Sequence, residues 1–109
     1  MRRGDVVTIA TSGDYGKPRP AMVVQADPFE ALPSVTVLPM TSEIHGEHLI
    51  RVSLAPTKDN GLRVTSQVMI DKATTVPTAG VGEVIGRVGA ESVGVIDRAL
   101  GRFLGLAAA

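Results

Sequence analysis

One arginine in this chain is pinned between two prolines, Pro18-Arg19-Pro20. Proline fixes its own φ and pushes the preceding residue into extended conformations, so Arg19 has little backbone freedom. A guanidinium held in this way is preorganised to meet a planar anion such as a phosphate through its fork of donors. The same three residues also read as the stiff beginning of a strand with a solvated charge, so the chemical reading needs partners. Thr41-Ser42 offers two hydroxyls and Asp71 a carboxylate. An arginine beside two hydroxyls can bind a phosphodiester and stabilise charge on its oxygens. His45 and His48, the chain's only histidines, belong to side chains that exchange protons near neutrality. Their spacing would suit a metal only on a helix, and the intervening Gly46 argues against one, so solvated loop histidines fit better.

Other chemistries are excluded by what is missing. The chain has no cysteine, hence no disulfide framework, thiol nucleophile or thiolate metal cluster. None of the glycine-rich phosphate-loop, dinucleotide-binding or serine-elbow patterns occurs. With one tyrosine, two phenylalanines and no tryptophan, there is no aromatic platform for stacking bases. Eleven basic residues balance eleven acidic ones, which counts against nucleic-acid binding by bulk charge but leaves room for a local basic site. The chain's 109 residues suit one domain, residues 1–109. With 44% hydrophobic and 20% charged residues, it reads as folded and soluble. Residues 1–5 turn polar too early for a signal peptide, no apolar run approaches a membrane span, and the lack of cysteine fits a cytoplasmic setting.

The elements that must position these groups are mainly strands. Residues 5–10 are rich in β-branched side chains, 21–25 form an apolar run that suggests burial on both faces, and 34–38 alternate. Residues 11–18 are dense in turn formers. Three strands within forty residues leave no space for a crossover helix, so they pair antiparallel. That pairing brings the start of the second strand, with Arg19, beside the end of the third, with Thr41-Ser42. Residues 50–54 predict a fourth strand and 67–73 a fifth, with Asn60-Gly61 as a turn between them. Residues 74–82 read as loop and 83–88 as a short last strand. Val93, Ile96, Leu100 and Phe103 then define one apolar stripe of a helix, closed by Gly105. The expected fold is mainly β with a C-terminal helix, a small twisted antiparallel sheet or partly closed barrel. Leu32 and Leu62 are apolar residues left in loops.

Arg3-Gly-Asp-Val-Val, Lys17-Pro-Arg-Pro-Ala-Met-Val-Val-Gln25, Pro39-Met-Thr-Ser42, and Gly61-Leu near Ser66-Gln-Val-Met-Ile-Asp71 resemble, in order and spacing, the MazF/PemK toxins of toxin–antitoxin modules. The resemblance runs from Arg3 to the C-terminal helix. It implies an SH3-like barrel, a homodimer, and an endoribonuclease that cuts short single-stranded RNA sequences, mRNA among them, without metal or cofactor. It implies a cognate antitoxin whose acidic, flexible tail lies over the RNA site. It also implies catalytic roles for Arg19 and Thr41 and a phosphate contact at Ser42. Lys17, Asp71, His45 and His48 are further candidates for catalysis or RNA binding. Two departures stand out: many members have Asp-Gln at the end of the fifth strand, where this chain has Asp71-Lys72, and the PemK branch has an arginine two residues before the aspartate, where this chain has Met69. A CcdB-like barrel that binds DNA gyrase is the alternative, but that reading relies on a tryptophan near the chain end. A non-catalytic barrel that binds RNA or a peptide is the third reading.

Metal-free RNA cleavage uses the substrate's 2′-hydroxyl as nucleophile and leaves a 2′,3′-cyclic phosphate and a 5′-hydroxyl. It needs a proton acceptor, a proton donor and charge stabilisation on the phosphorane. Arg19 suits the last role, since a guanidinium does not give up its proton in proteins. Thr41 suits orientation of the 2′-hydroxyl or the phosphate, and Asp71 is expected to accept the proton if it reaches the site.

Overall fold

The β-branched and alternating segments form strands in a computed structural model that describes residues 1–10, 17–46 and 49–106. β1 (Asp5–Ala10), β2 (Pro18–Val23) and β3 (Ser34–Thr41) are antiparallel neighbours, as their short connections require. β4 (Arg51–Leu54) pairs with β5 (Ser66–Met69), and β5 pairs with the end of β3. β6 (Thr74–Pro77) lies against the first half of β3, and β7 (Val81–Arg87) against β1. The order is β4-β5-β3-β2-β1-β7, with β6 beside β3 off this path. Among the described residues no ladder joins β4 to β7, so the sheet is bent round without closing, and the expected barrel is only loosely met.

The segment 55–65 spans that gap instead. The Arg87 amide donates to the Asp59 carbonyl at 2.7 Å. Buried Asn60 accepts from the amides of Thr57 and Leu62 at 3.0 Å each and donates to the Ala55 carbonyl at 2.9 Å. Gly61 follows at φ +71°, where a Cβ would stand 2.1 Å from the Ile85 carbonyl oxygen. Only glycine fits so close to the neighbouring backbone.

Alternation along the strands gives two cores. Val6, Met22, Leu38 and Met40 face a larger one, shared with Leu54, Val68, Ile70, Ile96 and Ala99. Val7, Ile9, Ala21, Val23, Val35 and Val37 build a smaller one on the other face. β2 is therefore buried on both faces at Ala21, Met22 and Val23, as its unbroken apolar run predicts. The helix α1 (Ala90–Leu104) packs through Ile96 and Ala99, with Val93 and Leu100 beside them, against the 3-10 turn Ile70–Lys72 and β4. Gly105, at φ +72°, closes it. The Gly105 amide donates to the Arg102 carbonyl at 3.2 Å and the Leu106 amide to that of Gly101 at 2.9 Å.

The structure corrects the sequence reading at several points. β2 begins at Pro18 and ends at Val23, and β3 continues through Pro39 to Thr41, because each has a partner strand on at least one side. The fifth strand stops at Met69 and turns into the 3-10 segment Ile70–Lys72. Residues 74–77, expected as loop, form β6: their threonines and valine find an open edge on the first half of β3. The last strand starts two residues earlier than expected, at Val81. Phe103 is on the helix but 49% exposed, since the buried stripe ends before it. Leu62 is a core residue rather than a free loop side chain, whereas Leu32 is exposed.

Candidate functional site

The site is created where two strands part. β2 and β3 pair from Val23 opposite Val37 to Ala21 opposite Pro39, and then β3 leaves β2 for β5, with Met40 opposite Val68 and Thr41 opposite Gln67. Meanwhile Pro18, Arg19 and Pro20 continue to pair with β1 alone, opposite Ala10, Ile9 and Thr8. Two residues apart, both prolines lack an amide donor on the same edge of β2. The ladder to β1 persists and the ladder to β3 stops, which is how a strand tolerates proline. Extended two residues beyond its last pair, the β2–β3 register sets Arg19 across from Thr41.

Two cavities open there and meet at Arg19, Met40 and Ser42. The first, of about 650 Å³, is walled by Leu62, Val64 and Ile85 and carries Lys17 and Arg63. The second, of about 550 Å³, is lined by Thr41, Glu43, Met69 and Lys72. Both volumes lie within the roughly 300–1,000 Å³ typical of ligand sites. Both lobes carry hydroxyls; the first adds Lys17 and Arg63 with no carboxylate among its lining residues, and the second adds one carboxylate, Glu43, and one ammonium, Lys72. The Asn60-Gly61 turn fixes the wall of the first lobe, because it delivers Leu62, Arg63 and Val64 to it.

Around Thr41 the backbone is tied down locally. The Glu43 amide donates to Thr41 Oγ1 at 3.1 Å, which fixes the hydroxyl's position on one side. Gln67, opposite Thr41 on β5 and buried, clamps the following loop from both directions. Its Oε1 accepts the His45 amide at 3.0 Å, and its Nε2 donates to the His45 carbonyl at 2.7 Å and to Ser53 Oγ at 3.2 Å. The His45 backbone is thus held while its imidazole stays exposed, 4.0 Å from the Glu43 carboxylate.

The structure brings Arg19, Thr41 and Ser42 together and places Lys17 in the first lobe. Neither His45 nor Asp71 lines either lobe, and His48 lies outside the described residues. Asp71 is instead engaged by Arg51, which stands on β4 directly opposite Met69. The guanidinium missing from position 69 is therefore supplied across the ladder. Burial works to raise the Asp71 pKa, but the Arg51 hydrogen bond, the turn's own amide and the charges of Arg51 and Lys72 outweigh it. They hold the carboxyl below its ordinary value. Among the described residues no three His, Cys, Asp or Glu side chains gather as a metal site. Glu43, Arg51, Arg63, Gln67 and Lys72 are not among the site residues expected from sequence: Arg51 and Gln67 act on partners distant in the chain, and Glu43, Arg63 and Lys72 join the site only once the fold assembles the groove.

Over residues 2–104 the chain matches the family described as PemK-like, MazF-like toxin of type II toxin–antitoxin systems. It is 45% identical over 108 residues to the probable endoribonuclease MazF of Mycolicibacterium smegmatis, covering 98% of this chain and 99% of that protein. Among solved structures it is similar to the Mycobacterium tuberculosis toxin MazF-mt6. The TM-score is 0.81 at 25% identity, over 94% of this chain and 98% of the other. A mycobacterial endoribonuclease in complex with its cognate antitoxin is also similar. There the TM-score is 0.81 at 22% identity, over 98% and 97% of the two chains. No helix among the described residues is long and apolar enough to cross a membrane.

Proposed function

As a member of the PemK-like, MazF-like toxin family of type II toxin–antitoxin systems, to which this chain belongs, the protein is an endoribonuclease, and we propose that it cuts single-stranded RNA across the two-lobed groove centred on Arg19. The observation that carries this reading is the place of Arg19 and Ser42 at the junction of two nucleotide-sized cavities, with Thr41 beside them in the second. A strand laid from one lobe to the other presents a phosphate to Arg19.

The nucleophile is the substrate's own 2′-hydroxyl, and no metal is needed to generate one. It attacks the adjacent phosphorus, the P–O bond to the 5′-oxygen breaks as the 2′,3′-cyclic phosphate forms, and the leaving 5′-oxygen takes its proton from solvent water to become the 5′-hydroxyl. Arg19 holds the scissile phosphate and the charge that develops on its oxygens, where donors aimed at the transition state act most strongly. Thr41 orients the 2′-hydroxyl and Ser42 contacts the phosphate. Glu43, the carboxylate that lines the lobe with Arg19 and Thr41, accepts the 2′ proton. In the cell the toxin acts on mRNA in the cytoplasm as a homodimer, and a cognate antitoxin silences it by laying an acidic tail along the groove.

Incubation of the purified protein with mixed-sequence RNA in EDTA tests the chemistry. Cleavage with cyclic-phosphate and 5′-hydroxyl ends is expected. Cleavage that persists when the nucleotide before the scissile bond is 2′-deoxy would overturn the mechanism, and absence of cleavage in EDTA but not in magnesium would overturn metal independence.

A further inference from the structure

The second lobe contains a cation that the reaction as described leaves unused. Lys72 ends the 3-10 turn Ile70–Lys72 and lines this lobe together with Arg19, Thr41 and Ser42. Its side chain is 60% exposed, so it meets solvent rather than the core. The turn beneath it is firm: Ile70 is fully buried, its amide donates to the Ile50 carbonyl at 3.0 Å, and α1 packs on the same turn. The Lys72 ammonium stands 3.7 Å from Asp71 Oδ2, on the carboxylate whose other oxygen, Oδ1, accepts from Arg51.

This arrangement decides what charge the groove sees. A lone Asp71–Lys72 pair would be close to neutral and would offer little to an anion. Arg51, with its side chain only 13% exposed, adds a buried positive charge on the far oxygen of Asp71. Three groups then carry a net single positive charge, and the accessible member is Lys72. Asp71 gives the flexible lysine a fixed direction, and Arg51 offsets the carboxylate's charge.

We propose that Lys72 binds an RNA backbone phosphate next to the one held by Arg19, with Asp71 as its positioning residue and Arg51 as the group that neutralises Asp71. The inference rests on the reading of the groove as an RNA site. It assigns the two sides of Arg19 different cations: Lys17 and Arg63 in the first lobe, Lys72 in the second.

Counterion release makes the proposal measurable. Each phosphate neutralised on a single strand contributes about 0.7 to the slope of log affinity against log salt. The probe is a labelled mixed-sequence 2′-O-methyl RNA, which lacks the nucleophile and stays intact. Its binding is titrated from about 50 to about 200 mM salt, the interval over which one such contact changes affinity about 2.6-fold. Lys72→Gln is expected to lower the slope by about 0.7, and Lys72→Arg to keep the wild-type slope. Arg51→Met, which keeps Lys72 but leaves Asp71 to neutralise it, is expected to lower the slope in the same direction. An unchanged slope in Lys72→Gln overturns the phosphate contact, whatever Arg51→Met does. A normal slope in Arg51→Met beside a lowered one in Lys72→Gln overturns the neutralising role alone. If the wild-type protein shows no salt-dependent binding at all, the RNA reading of the groove falls with the inference.

Discussion

Two arginines on the bent sheet, Arg19 and Arg51, make opposite use of the same side chain. Arg19 sits on β2 between prolines, on a stretch paired on one side only, and is exposed along the groove. Arg51 sits on β4, paired across to Met69, and turns its guanidinium inward onto Asp71, leaving its Nε buried without a hydrogen-bond partner among the described residues. Arg19 lines the open groove that an RNA strand would enter. Arg51 faces Asp71 beneath the surface. What separates them is whether the neighbouring strand has parted, since the missing β2–β3 ladder opens the groove at Arg19 while the β4–β5 ladder keeps Arg51 covered. Removing Arg19 should therefore be read in the rate, and removing Arg51 in stability.

The largest expected effect is on catalysis. Arg19→Ala should lower kcat at least a hundredfold, about 3 kcal/mol of transition-state stabilisation, in a cleavage assay on a defined RNA. Its unfolding midpoint should stay within about 0.5 kcal/mol of wild type, as for exposed positions generally. Near-normal turnover would remove Arg19 from the chemistry. Next comes the carboxylate question. Glu43→Gln should lower kcat by roughly a hundredfold if the groove carboxylate takes the proton. Asp71→Asn, at the carboxylate that Arg51 occupies, should change kcat far less. The reverse ranking would show that Asp71 leaves Arg51 and reaches the substrate. Arg51→Met should cost about 2 kcal/mol in denaturant unfolding, because Asp71 is left half-buried with the turn's own amide and the exposed Lys72 as its remaining partners among the described residues. That is less than for a fully buried pair, since Asp71 retains 19% of its side-chain exposure.

Arg19 was the legible half of this pair. Its prolines announce a fixed backbone, and short connections force antiparallel pairing, so the approach to Thr41-Ser42 follows from chain order alone. The helix and its Gly105 cap were legible for the same reason, as they depend on neighbours a few residues away. Arg51 was not legible, because an arginine in an alternating strand reads as a solvated face until its cross-strand partner and the direction of Asp71 are known. β6 was hidden likewise. Thr74-Thr75-Val76-Pro77 becomes a strand only because the first half of β3 leaves an edge open for it. Phe103 shows the converse: helical period marks it as apolar-facing, but burial also needs a surface beneath, and the packed stripe ends before it.

The smallest expected effect concerns acid. Asp71 has its folded-state pKa held below the ordinary carboxylate value, with burial opposing and Arg51 prevailing. A carboxyl shifted down in the folded state binds its proton more readily when unfolded. It therefore adds stability above its unfolded pKa of about 3.9, and this contribution fades as pH falls through the folded value. Asp27, partly buried and hydrogen-bonded chiefly by the Arg3 amide, is lowered in the same direction. Wild-type unfolding followed from neutral pH down to about pH 3 should thus lose stability in its acid portion. Asp71→Asn should be less stable than wild type at neutral pH, with Arg51 left facing a neutral amide, and the gap should narrow below about pH 4 as the wild-type carboxyl protonates. A gap that stays constant across that range would mean that Arg51 contributes packing rather than charge, and the contrast with Arg19 would then be one of burial alone.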